Sequence, residues 1–237
     1  MPSPHDSGPD NDFPPSSEAL DNPNGLLAVG GDLSSERLLS AYRRGIFPWY
    51  EAPQPIMWWT PDPRSILLPK ALHISRSLRR TLKRNQFQLT VDKRFSAVVG
   101  HCAQARKDGP GTWISADMLG AYSHLHDQGF AHSVEVYDTA GVLVGGLYGV
   151  ALGRAFFGES MFSLKPDASK VAMVALVQIL DNAGFELIDC QVESDHLNSL
   201  GAQNINRVDF ERLLVQTVDE TVSPDIWTLP ATCGELL

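Results

Sequence analysis

No stretch of the chain approaches the roughly 18 consecutive apolar residues of a membrane-spanning helix, so no membrane association is expected. The opening, Met1 to Asp12, is polar and acidic. It lacks the basic start and apolar stretch of a secretory signal. Cysteine is scarce: Cys102, Cys190 and Cys233 are three, widely spaced and without a CxxC pair. That argues against a disulfide framework or a zinc site and suits a reducing cytoplasm. The last absence is local. From Arg64 to Val91 there is no Asp or Glu, while seven Lys and Arg fall there. A net charge of −9 argues weakly against nucleic-acid binding by the chain as a whole. One purely basic segment can still hold a phosphate backbone, while the acidic remainder attracts a cationic second substrate.

The 237 residues are enough for one large domain or two small ones, and 43% apolar with 20% charged residues is ordinary for a globular protein. Residues 1–24 are rich in Pro, Ser, Asp and Asn. Ser34 to Arg44 reads as a helix opened by Ser34 or Ser35 and closed by Gly45. The Trp- and Pro-dense stretch from Ile46 reads as ordered loop or short strand, with a domain boundary near Pro61 to Pro63, dividing 1–62 from 63–237. Helices follow at Ser75 to Arg84 and Ala116 to Gln128, with another over Phe95 to Ala105. The period then changes. Ser133 to Tyr137, Val142 to Val150 and Ala155 to Phe162 read as an antiparallel meander. A helix over Ala168 to Ala183, a strand over Phe185 to Val192 and a last helix over Val208 to Glu220 complete an α+β order.

Several residues could carry chemistry. In the strand FELIDCQV, Asp189 and Gln191 should share one face and Cys190 the other. A carboxylate after Leu187–Ile188 lies near the core, where burial raises its pKa and suits it to accept a proton, with Gln191 holding its orientation. The plainer alternative is an Asp that caps the following turn. Glu159 is a lone acid among Phe156, Phe157, Met161 and Phe162 and needs a partner, either a substrate ammonium or a protein Arg. Met173, Leu176 and Leu180 share a helix face, by default a core face and otherwise the wall of an apolar pocket. Trp49 and Trp113 stand in polar or Gly- and Pro-rich contexts and are either core residues or rings that stack on a ligand, whereas Trp58 and Trp59 look more like packing residues. Arg76, Arg79, Arg80, Lys83 and Arg84 form a broad basic helix face, either a solvated surface or a seat for phosphates. The stretch RKDGPG, Arg106 to Gly111, fits the R-x-x-G-x-G loop of coenzyme A-binding acetyltransferases. It follows a helix where such a loop must follow a strand.

Taken together, the sequence resembles the bacterial leucyl/phenylalanyl-tRNA–protein transferases from about Phe13 to Trp227. The resemblance rests on NPNGLLAVGGDLS, YRRGIFPW, WWTPDPR, LHISRSLRR, GTWIS, HSVEV, GGLYGVALG, FFGESMFS, LIDCQV and HLNSLGA, in order along the chain. It implies a small N-terminal α/β domain followed by a C-terminal domain of the acetyltransferase-like (acyl-CoA N-acyltransferase) fold. It implies a donor side-chain pocket of Leu147, Phe156, Met173, Leu176, Leu180 and Ile188. By the same resemblance Trp49 and Trp113 sandwich the terminal adenine of tRNA, Asp189 and Gln191 form the catalytic pair, and Glu159 is a further active-site residue.

The implied reaction moves leucine or phenylalanine, and methionine less well, from its tRNA ester to the α-amine of a protein beginning with Arg or Lys. The appended residue marks that protein for the N-degron route. Ester to amide runs downhill, so neither a cofactor nor a metal is required. An α-amine with a pKa of about 7.7–8.0 must lose a proton before it attacks. Asp189 with Gln191 is the expected agent, and the ribose hydroxyl beside the ester is another. Two other classes share parts of this pattern. An acetyl-CoA-dependent N-acetyltransferase would bind acetyl-CoA, and a non-catalytic tRNA-binding module would leave Asp189, Gln191 and Glu159 idle.

Overall fold

The computed structural model of the chain describes residues 13–51, 53–107 and 114–237, with the backbone alone at 5–6 and 105–107. The first sheet takes β1 (His5–Asp6), β2 (Leu26–Val29), β3 (Phe47–Pro48) and β4 (Met57–Trp59) in the order β1-β2-β4-β3, with helix α1 (Ser35–Arg43) between β2 and β3. The second takes β5 (Arg64–Leu67), β6 (Gln88–Val91), β7 (Ala131–Tyr137), β8 (Leu143–Leu152), β9 (Ala155–Ser163), β10 (Leu187–Gln191) and β11 (Gln203–Ile205). Its order is β11-β5-β10-β9-β8-β7-β6. Along the chain lie α2 (Arg76–Arg84), α3 (Phe95–Lys107), α4 (Ala116–Asp127), α5 (Ala168–Asn182), α6 (Asp195–Asn198) and α7 (Arg207–Thr217).

The helix starts are set by serine. The hydroxyls of Ser34, Ser75 and Ser115 accept from the backbone N–H of Arg37, Leu78 and Met118, each satisfying a donor that the first turn leaves open. Gly45 and Gly129 follow α1 and α4 at φ of +70° and +80°, a conformation glycine adopts without strain. Strands β6 to β9 run antiparallel in sequence order, which is the expected meander with one strand added at its edge. Strand β10 joins parallel to β9, and α5 supplies the crossover that a parallel neighbour requires. Strand β5 then lies antiparallel to β10, and β11 antiparallel to β5. Strand β5 was not expected, because RSIL is buried at all four positions between β10 and β11 and no apolar alternation marks it.

Alternation along β8 and β9 divides the core into the two sides of the large sheet. Tyr148, Val150 and Phe157 pack with Phe95, Val98, Met118 and Tyr122 of α3 and α4. Leu147 and Phe156 pack on the opposite side with Met173, Leu176 and Leu180 of α5. The first of these clusters also takes Phe13, Leu38, Tyr42 and Trp58, so the small sheet and its helix share a core with the large one. The fold is α+β, as the order of elements implied. Among the described residues no helix is long and apolar enough to cross a membrane.

Candidate active site

Strands β9 and β10 pair only as far as Phe157 and Asp189. Beyond that point β10 carries a bulge, and Gln191 takes φ +65°, which turns the chain out of the sheet. The opening left between the two strands is a cavity of about 370 Å³, large enough for a small ligand. Leu147, Phe156, Met173, Leu176 and Ile188 line its apolar side, Glu159, Asp189 and Gln191 its polar end, and Trp49 part of its border. Five of the six expected pocket residues therefore meet there. The sixth, Leu180, is fully buried in the core beside α5's other apolar residues and is absent from the cavity wall, a correction to its expected place.

Asp189 is fully buried, and its partner is one the sequence did not suggest. Arg64, also buried, donates from Nε to Oδ1 at 2.8 Å and from Nη2 to Oδ2 at 2.6 Å. The guanidinium is sandwiched between Phe47 and Phe210, its Cζ 4.9 Å and 4.5 Å from the two ring centroids. The backbone N–H of Gln191 donates to Asp189 Oδ1 at 2.9 Å, so Asp189 also caps the turn that follows it. The expected picture of a lone carboxylate steadied by the Gln191 side chain is thereby corrected. The Gln191 side chain turns to Glu159 instead, its Nε2 donating to Oε1 at 3.0 Å.

No protein Arg pairs with Glu159 among the described residues, since Arg64 is bound to Asp189. Tyr42 from α1 is hydrogen-bonded to its Oε1 at 2.7 Å and Tyr122 from α4 to its Oε2 at 2.8 Å, all in a buried setting. Burial outweighs these hydrogen bonds and, with the nearby charge of Asp189, lifts the carboxyl pKa from 4.5 to about 7. Burial likewise drives the Tyr42 and Tyr122 phenols well above their ordinary pKa, helped by the Glu159 charge. Cys190 borders the cavity while packing with Ile188, where the sequence placed it against the core alone. Burial and the charge of Asp189 push its thiol pKa up, which leaves it a poor nucleophile.

Trp49 is 42% exposed, and its ring lies 5.9 Å from that of Trp59. Trp113 lies outside the described residues, as do positions 108–111 of RKDGPG; α3 runs on through Arg106 and Lys107 ahead of them. Arg76, Arg79, Arg80, Lys83 and Arg84 are all exposed on α2, and none makes an ion pair among the described residues. Thr81 ties that helix to the foot of α5 through Asp167 at 2.7 Å, and α5 carries Met173 and Leu176 into the cavity. Among the described residues no cluster of His, Cys, Asp and Glu could hold a metal ion. Arg64, Tyr42 and Tyr122 are the polar site groups that the sequence did not single out. Each was in view only as part of a basic segment, a motif or a helix.

A family profile described as leucyl/phenylalanyl-tRNA protein transferase matches residues 66–215, and one described as the N-terminal domain of the same family matches residues 31–62. The leucyl/phenylalanyl-tRNA–protein transferase of Azotobacter vinelandii is 56% identical over 207 residues, covering 87% of this chain and 91% of that protein. Its counterpart in Syntrophobacter fumaroxidans is 55% identical over 224 residues, covering 94% of each. Among solved structures, a GCN5-related N-acetyltransferase from Kribbella flavida aligns over 70% of this chain and 59% of its own, with a TM-score of 0.38 and 13% identity.

Proposed function

The chain belongs to the leucyl/phenylalanyl-tRNA–protein transferase family, and on that premise we propose that it moves leucine or phenylalanine, and methionine less well, from aminoacyl-tRNA to the N-terminal α-amine of proteins that begin with Arg or Lys. The product is marked for degradation by the N-degron route, in the cytoplasm. The observation that carries this reading is the composition of the cavity. Five apolar side chains from three strands and α5 suit the side chain of leucine or phenylalanine, and the polar end of the same cavity brings Glu159 and Gln191 to its reacting ester.

The donor enters with its side chain against Leu147, Phe156, Met173, Leu176 and Ile188. Its terminal adenine stacks on Trp49, with Trp113 as the second ring, and its phosphates run over the basic face of α2. Asp189 acts as a positioning residue. With both oxygens committed to Arg64 and one also to the Gln191 backbone, it holds Gln191 in its left-handed conformation. Gln191, its Nε2 spent on Glu159, keeps its carbonyl oxygen to orient the incoming amine. Holding amine and ester in attack geometry supplies much of the rate.

A cavity-filling change tests this placement. Leu147→Trp is expected to abolish transfer of both amino acids while uncharged tRNA still binds as to the unaltered protein. Transfer from charged tRNA at the original rate would remove the donor side chain from this cavity.

A further inference from the structure

Behind the cavity three oxygen-to-oxygen contacts close a ring. Tyr42 Oη lies 2.7 Å from Glu159 Oε1, Tyr122 Oη lies 2.8 Å from Glu159 Oε2, and the two phenol oxygens lie 2.5 Å apart. Each contact needs one hydrogen between its oxygens. The phenols bring two, and burial keeps both of them protonated. If the carboxyl were ionised, both phenols would donate to it, and the shortest contact would be left as two oxygens with lone pairs facing. A third hydrogen, on Glu159 Oε2, fills every contact. Oε2–H donates to Tyr122, Tyr122 to Tyr42, and Tyr42 to Oε1, which as a carbonyl oxygen also accepts from Gln191 Nε2 at 3.0 Å.

The other ionisable groups near the ring favour the same state. Tyr148 from β8 lies edge-on to Tyr122 at 5.6 Å between ring centroids and adds no positive charge. Asp189 from β10 is an anion whose charge opposes ionisation of Glu159, and its counter-ion Arg64 from β5 is bound to it, not to Glu159.

We propose that Glu159 rests within the closed ring as a neutral acid because it is buried, and that loss of its proton makes Glu159 the group that takes the proton from the acceptor amine, with Tyr42 and Tyr122 as positioning residues whose donation to the carboxylate sets when this happens. The proposal rests on the assignment of this cavity as the transfer site. The step balances as follows. The acid first releases its proton to water. The carboxylate then forms an O–H bond with a proton of the acceptor ammonium, whose N–H electron pair stays on nitrogen. That pair attacks the ester carbon. The carbon–oxygen bond to the ribose breaks with its electrons on oxygen, which takes a second proton from nitrogen. The sum is ammonium plus ester giving amide, ribose hydroxyl and one free proton.

Two measurements test this. Infrared titration of the protein without substrates is expected to show a carboxylic-acid band that fades as pH rises through neutrality and is missing in Glu159→Gln. Tyr122→Phe keeps the shape of the ring but removes one donor to the carboxylate. The band should then persist about one to two pH units higher, the span that follows from losing one hydrogen bond to a charged group. The pH midpoint of transfer with a fixed acceptor should move by the same amount. A protein with no Glu159-dependent acid band below neutral pH overturns the proposal. So does a Tyr122→Phe protein that loses rate evenly at every pH with its midpoint unmoved, the mark of a merely structural role. The infrared result is read without tRNA, so it stands or falls separately from the assignment of the transfer reaction.

Discussion

Arg64 and Asp189 meet across 125 positions of sequence, and their pairing governs what a substitution at Asp189 will do. Asp189→Asn leaves a buried guanidinium without its counter-charge. Breaking such a pair costs about 3–5 kcal/mol, so a large fall in melting temperature should accompany any loss of turnover. A Asp189→Asn protein that melts like the original but transfers nothing would instead make Asp189 a direct participant in proton transfer. Glu159 has a different signature. Its pKa is raised on folding, from an ordinary 4.5 to about 7. The folded state thus binds the proton more tightly, and the resulting stability is complete below the lower value and lost as pH climbs through the upper one. Measured against Glu159→Gln, the unaltered protein should lose on the order of 3 kcal/mol of unfolding free energy across that window and then level off. A difference that stays flat with pH would contradict a protonated Glu159. Asp189 and Glu159 were legible in the sequence because an acid inside an apolar run must have a reason to be there. Their partners were not. Tyr42, Tyr122 and Arg64 lie in segments where a tyrosine or an arginine is unremarkable, and only the packing of α1, α4 and β5 around one point brings them together.

At the level of elements, α2 is the part whose contribution can be removed without disturbing the rest. Its apolar side, Leu78 and Leu82, is buried, while its five cations face solvent. Replacing Arg76 and Arg80 by Ala should leave the melting temperature unchanged. It should also reduce the slope of log affinity for tRNA against log salt by about 1.4–1.8, the counterions released by two phosphate contacts. Transfer from an aminoacylated adenosine, which lacks the phosphates, should be indifferent. An unaltered salt slope would return α2 to the status of a solvated surface. Helices α1 and α4 were legible because a serine cap and a glycine stop bracket each, and the meander because its strands are long. The short strands β2, β5, β6 and β11 were not. Strand β11 has only three residues, none of them buried, and its place in the sheet comes from pairing with β5. The bulge after Asp189 was equally hidden. Strict alternation predicted a shared face for Asp189 and Gln191, and the left-handed turn at Gln191 sends that side chain to Glu159.

For the whole molecule, the net charge of −9 coexists with one acid-free basic helix beside α5, whose other end of contact is the cavity. That arrangement fits two substrates of opposite charge, a polyanionic donor led in over α2 and a cationic N-terminus drawn to the acidic remainder. Helix α1 brings Tyr42 to Glu159, the residue after β3 is Trp49 at the border of the cavity, and this part of the chain shares a core with the large sheet. The central claim is the transfer itself, and it is tested by incubating the protein with radiolabelled leucyl- or phenylalanyl-tRNA and an acceptor protein beginning with Arg, then sequencing the product from its N-terminus. The label should appear as the first residue, joined to Arg, and should vanish when the acceptor's α-amine is acetylated beforehand. Label that fails to reach the protein, or that enters the acetylated acceptor equally well, would contradict it.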